Sequence, residues 1–174
     1  MTPPTVLIAG TGNIFLGDDA FGCEVLTELN RRQWPENIRM IDFGIRGFDL
    51  AYALLNGFDL VVLVDATPRG GAPGTLYTIE PELEALENLS PEMMAVETHG
   101  MDPLKVLSMV KSMGGRLKQV LLVGCEPETF GPEEGLMGLS ESVQSAVPQA
   151  VGVIESIVAN YLPGRIEVSA LQTS

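Results

Sequence analysis

The sequence predicts an α/β fold of three layers: a twisted, mostly parallel sheet of about five strands with an antiparallel edge strand, and helices on both faces. Three observations carry this expectation. Short apolar runs such as "LVVLVDA" (60–66) and "QVLLVG" (119–124) show no polar alternation, as strands covered on both faces should. They alternate with segments of helical period, the order that builds a parallel sheet. A glycine-bearing turn, "GTGNIFLGDDAFG" (10–22), directly follows the first run, "TVLIA" (5–9).

The elements follow in order. After the first strand and its turn, a helix is expected from Asp19, with Phe21, Val25, Leu26 and Leu29 on one face. "IRMID" (38–42) reads as the second strand, and "FDLAYALLNG" as a shorter helix ending at Gly57. The third strand is 60–66. "GTLYTIE" (74–80) follows it too closely for a crossover helix, so it is expected to be an edge strand or an antiparallel hairpin partner. "DPLKVLSMVKSMGG" reads as a helix closed by a glycine pair, and 119–124 as the last strand. Ser140 is expected to cap a final helix in which Pro148 removes a backbone donor and introduces a kink. Residues 1–162 form one domain in this reading, and 163–174 a tail expected to be mobile.

Composition narrows the function. At 174 residues, 45% hydrophobic and 19% charged, the chain can bury a core without disulfides. A net charge of -13 argues against binding a phosphate backbone. The start has no basic, long-apolar leader and no run is long enough to span a bilayer, so a cytoplasmic protein away from membranes is expected, acting as a monomer. Cys23 and Cys125 make no metal-ligand pair and are expected to be reduced core thiols without a role.

Ligands in such folds bind beyond the carboxyl ends of the strands. A dinucleotide turn needs a third glycine where this chain has Phe15, and Asp18 and Asp19 would repel a pyrophosphate from the helix start. The same edge holds Asp42 and Asp65 at strand ends and His99, the single histidine, in the loop before a helix. A charged Asp at the end of a buried strand costs several kcal/mol unless it meets a metal, a cation or several backbone donors. Two carboxylates and an imidazole make a plausible N/O site for a divalent first-row metal. Helix capping by the aspartates, and by His99, is the plainer alternative at each position. No serine or cysteine stands in a nucleophile elbow, which leaves acid-base or metal chemistry.

Taken together, "GTGNIFLGDDAFG", "DFGIRGFDL", "LVVLVDATPRGGAPGTLY", "THGMDPL" and "VLLVGCEPE" resemble, in order, the motifs of the nickel-iron hydrogenase maturation endopeptidases, over about residues 5–160. The resemblance implies an endopeptidase that removes a C-terminal extension from the [NiFe] hydrogenase large-subunit precursor after nickel insertion, with the bound nickel as recognition element. It implies Asp19, Asp65 and His99 as the metal-contacting, catalytic residues, and nickel supplied by the precursor. Asp18 and Asp42 are expected to support them. The chain departs from the family in having Asp19 where some members have Glu, and "DFGIRG" in place of a glycine-rich segment, so that Arg46 faces either the substrate or solvent. Besides a metal-positioned water aided by a carboxylate, the same residues would serve a noncatalytic nickel-sensing chaperone.

Overall fold

The computed structural model describes residues 3–86 and 102–161. Strand β1 (Val6–Thr11) leads through a 3-10 turn (Gly17–Ala20) into helix α1 (Phe21–Asn30). Then come β2 (Ile38–Gly44), α2 (Gly47–Leu55), β3 (Leu60–Ala66) and β4 (Leu76–Ile79). A 3-10 turn (Leu83–Ala85), α3 (Pro103–Ser112), β5 (Gln119–Cys125) and α4 (Glu141–Tyr161) complete the order. The expected tail, 163–174, lies outside the described residues.

The five described strands form one sheet in the order β2-β1-β3-β5-β4. The first four run parallel, and β4 is an antiparallel edge strand. β4 pairs with β5 rather than with β3, the strand before it in sequence. Local spacing told only that β4 could not be reached by a crossover helix; its partner comes from much later in the chain.

Burial explains why β1 and β3 carry no alternation: every residue of both is buried. One set of their side chains, including Ile8, Val62 and Val64, packs against Phe21 and Leu26 of α1 and Val147 and Ile154 of α4. The other, including Leu7, Ala9 and Leu63, packs against Leu50 and Leu54 of α2 and Val106 and Met109 of α3. Each such side chain contributes roughly 1.5–3 kcal/mol by leaving water. The result is the three-layer arrangement expected. Among the described residues, no helix is long and apolar enough to cross a membrane.

Two local expectations are refined. Helix α4 runs on through Pro148. Ser140 stands at its start and its carbonyl accepts from the Gln144 N–H, but its hydroxyl donates to Asp18.

Just beyond β5, the buried Glu126 ties down the loop between β3 and β4. Its Oε1 accepts from the Arg69 N–H at 2.8 Å, the Gly71 N–H at 2.9 Å and the Tyr77 hydroxyl at 2.7 Å. The Tyr77 bond is the main reason that the Glu126 pKa lies below its ordinary 4.5. A depressed carboxylate pKa adds stability that is full above the ordinary value and is lost as pH falls through the folded one. Urea unfolding between about pH 6 and about pH 3 should therefore show wild type losing more stability than Glu126→Gln. Parallel losses would contradict this clamp.

Candidate active site

The strand register brings the chemistry to one edge. Gly10 of β1 pairs with Asp42 of β2 and with Val64 of β3, one residue before Asp65, so all lie at the carboxyl ends of adjacent strands. From Thr11 the chain turns at Gly12, with φ of 138°, and the 3-10 turn that follows presents Asp18 and Asp19 side by side. The two have different surroundings.

Asp18 is fully buried. Its Oδ2 accepts from the N–H groups of Glu128 at 2.8 Å and Thr129 at 3.1 Å, and from the Ser140 hydroxyl at 2.9 Å. Its Oδ1 accepts from the Ser140 N–H at 2.7 Å. Burial pushes its pKa up, but the Ser140, Thr129 and Glu128 donors outweigh that and hold it below the ordinary value. Neither the 3-10 turn nor α1 has a side-chain cap, so Asp18 is not the helix cap its position suggests. It clamps the turn that carries Asp19 to the loop between β5 and α4.

Asp19 is half-buried, and its Oδ2 accepts from the Asn13 N–H at 2.9 Å. Burial raises its pKa, and the Asn13 donor opposes that only in part. Asp65 is 8% exposed, and its Oδ1 has no hydrogen-bond partner. Burial pushes its pKa well above the ordinary carboxylate value, and the charge of Asp19 adds to the rise; the Ala66 N–H and the Thr11 hydroxyl oppose it, and Asp102 adds a smaller push. The two carboxyls therefore interact as neighbours. Gly12 makes this possible: a Cβ there would lie 1.8 Å from the Asp19 carbonyl oxygen and 3.7 Å from Asp65 Oδ1. Only glycine fits between them.

Asp42 is exposed, and its Oδ1 accepts from the Gly44 N–H at 2.9 Å. Arg46 is bound by its own turn: it donates to the carbonyls of Asp42 at 2.8 Å and Phe43 at 3.2 Å, and pairs with Asp49 at 3.4 Å. It nevertheless lines a groove of about 390 Å³, together with Gly12, Phe15, Cys23, Asp42 and Ile45. His99 lies outside the described residues. Asp102, three positions later, caps α3 by accepting from the Leu104 N–H at 3.0 Å, and its charge is felt by Asp65.

Cys23, expected as a reduced core thiol, is free and buried. Its thiol faces the Gly12 carbonyl at 3.6 Å; burial, a hydrogen bond to Asp42 and the charges of Asp65 and Asp19 push its pKa up. A thiol so held stays protonated and is a poor nucleophile. Its place four residues after Asp19, one helical turn on, was the available signal of these acid neighbours. Among the described residues, no three His, Cys, Asp or Glu side chains gather closely enough to hold a metal. A three-ligand site therefore needs a donor from outside them.

The chain as a whole is similar to known proteins. A family model described as hydrogenase maturation protease matches residues 23–157. A relative from Methanocaldococcus jannaschii is 32% identical, covering 88% of this chain and 96% of its own. The hydrogenase 2 maturation protease of Escherichia coli is 28% identical over 91% of this chain and 95% of that one. Among solved structures, the hydrogenase 2 maturation peptidase from Thaumarchaeota archaeon SCGC_AB-539-E09 superposes with a TM-score of 0.67 at 29% identity, covering 88% of this chain and 97% of that one. The hydrogenase maturating endopeptidase HybD from E. coli gives 0.70 at 26%, covering 90% and 93%.

The contrast between the aspartates is measurable. Both oxygens of Asp18 accept from N–H groups, so an amide in either orientation sets its NH2 against a donor. Asp18→Asn should lower stability by about 2–4 kcal/mol. Asp65→Asn replaces a buried carboxyl whose pKa is pushed up by burial and whose Oδ1 has no partner, and should cost little. Chemical denaturation of both variants checks the pair, and equal losses would refute the assignment of opposite roles.

Proposed function

The chain belongs to the hydrogenase maturation protease family, and on that premise we propose that it removes the C-terminal extension of a [NiFe] hydrogenase large-subunit precursor once nickel has been inserted. The nickel arrives as part of the substrate. Asp19, Asp65 and His99 complete its coordination, and the ion so held fixes the scissile peptide against the sheet edge.

The observation that carries this reading is the Asp65 carboxyl, buried, with one oxygen unpartnered and with Asp19 as its neighbour. Two carboxyls in dry surroundings disfavour each other's charge, and a divalent cation reverses that penalty. The carboxylate and imidazole donor set suits a first-row metal.

Each residue has its own task. Asp65, anchored on a fully buried central strand, supplies a fixed ligand. Asp19, held by the Asn13 N–H, supplies the second. The metal would position a water and polarise the peptide carbonyl, with a carboxylate taking the proton as that water attacks the carbonyl carbon and returning it to the amine as the C–N bond breaks. Cys23 takes no part in bond breaking, as its protonated thiol requires.

Incubating the purified protein with nickel-loaded precursor and weighing the products tests the reading: a shortened large subunit and a released tail are expected, and nickel-free precursor should stay intact. Asp65→Asn and His99→Ala should slow cleavage by about a hundredfold or more, since a misplaced scissile bond alone costs that much. Cys23→Ala should still cleave. Processing that ignores nickel, or survives loss of either ligand, would reject the proposal; binding without a shortened product would make this protein a nickel-sensing chaperone instead.

A further inference from the structure

The rim around the two carboxylates is unusually apolar for a surface with so many acidic groups. Met137 is 65% exposed, Phe15 59% and Ile45 58%. With Ile14, Phe130 and Leu136, they come from three loops at the carboxyl edge of the sheet: the β1 turn, the turn between β2 and α2, and the loop between β5 and α4.

These residues form one continuous surface. Ile14, Phe15 and Ile45 line the same groove. On the other side of Phe15, its carbonyl accepts from the Leu136 N–H at 2.8 Å, and the Leu136 carbonyl accepts from the Gly17 N–H at 2.8 Å. Leu136 lies over Gly131, the neighbour of Phe130. Exposed apolar patches of this extent on a folded chain mark interaction surfaces. The Asp18 clamp fixes the Glu128–Thr129 and Ser140 ends of the third loop to the turn that carries Asp19, so the rim and the ligand turn are held as one body.

Charge indicates what lies on it. The apolar residues of the third loop alternate with the exposed Glu128, Glu133 and Glu134, so a complementary face has an apolar centre with lysines or arginines around it. Position indicates which protein it is. Among the described residues, this rim borders the edge that carries Asp19 and Asp65, so it faces the body of a protein whose chain end is brought to them.

We infer that the rim formed by Ile14, Phe15, Ile45, Phe130, Leu136 and Met137 is a docking platform for the folded body of the precursor, through an apolar patch with a basic border, separate from the site that handles its tail. This rests on the proposed function for the identity of the partner. Recognition then has two parts, with the nickel read at the carboxylates and the folded surface read at the rim.

Binding and cleavage must be measured separately. Calorimetry with folded, nickel-loaded precursor should give a Kd about tenfold weaker for Phe15→Ser and for Met137→Ser than for wild type, as expected for an anchoring side chain. Tyr52→Ser, an equally exposed position farther along α2, should leave Kd unchanged. Glu133→Gln with Glu134→Gln should weaken the salt dependence of association. Met137 is exposed enough that its variant should melt as wild type does, which keeps the test valid if Phe15→Ser is destabilised.

Unchanged affinity for Met137→Ser and Phe15→Ser overturns the platform, and so does wild type that fails to bind the folded precursor. If wild type still shortens the precursor in those cases, the proteolytic function stands without the platform. Rim-dependent binding without any shortened product supports the platform and overturns the proteolysis.

Discussion

The arrangement of this edge depends on one buried carboxylate whose two oxygens are both taken up by hydrogen bonds. Asp18 collects four hydrogen bonds from the loop between β5 and α4 while its own N–H donates to the Thr129 carbonyl. These bonds join the first and last βα connections across the top of the sheet, two segments separated by more than a hundred residues. A carboxylate can do this because it accepts from several donors at once, and charge-assisted bonds of this kind outweigh the cost of its burial.

Asp65 shows the opposite balance. Its burial is not repaid by donors, and its neighbour is another acid. Stability alone would select a neutral side chain at the end of β3, where all other residues of the strand are apolar. Uncompensated strain of this sort concentrates where a protein binds something. The same acidic surroundings keep Cys23 protonated, so the one thiol within reach is removed from the chemistry by the charges that would attract a cation.

Much of this was legible in the sequence, for identifiable reasons. The central strands could be read because burial on both faces removes alternation, and Asp65 because a lone acid ends an apolar run. The helix faces followed from the spacing of Phe21, Val25, Leu26 and Leu29. Pairing of β4 with β5 was not legible, because strand adjacency is decided by tertiary packing. Asp18 and Asp19 are adjacent and identical in chemistry, and what separates them is a set of donors from residues 128–140 that local sequence cannot reveal. Cys23 was legible as a core thiol, as a lone cysteine on an apolar helix face suggests; the acids around it were not, because they come from three different elements. His99 was read from its loop position and lies outside the described residues.

The close fit at Gly12 also limits how this edge can diverge. A side chain there would meet the carbonyl of Asp19 within bonding range, so the backbone of the 3-10 turn packs directly against the turn that leaves β1. No graded series of substitutions at that position can open the gap. The span between the two acids is then adjusted through side-chain length, and aspartate against glutamate at position 19 is a step of one methylene.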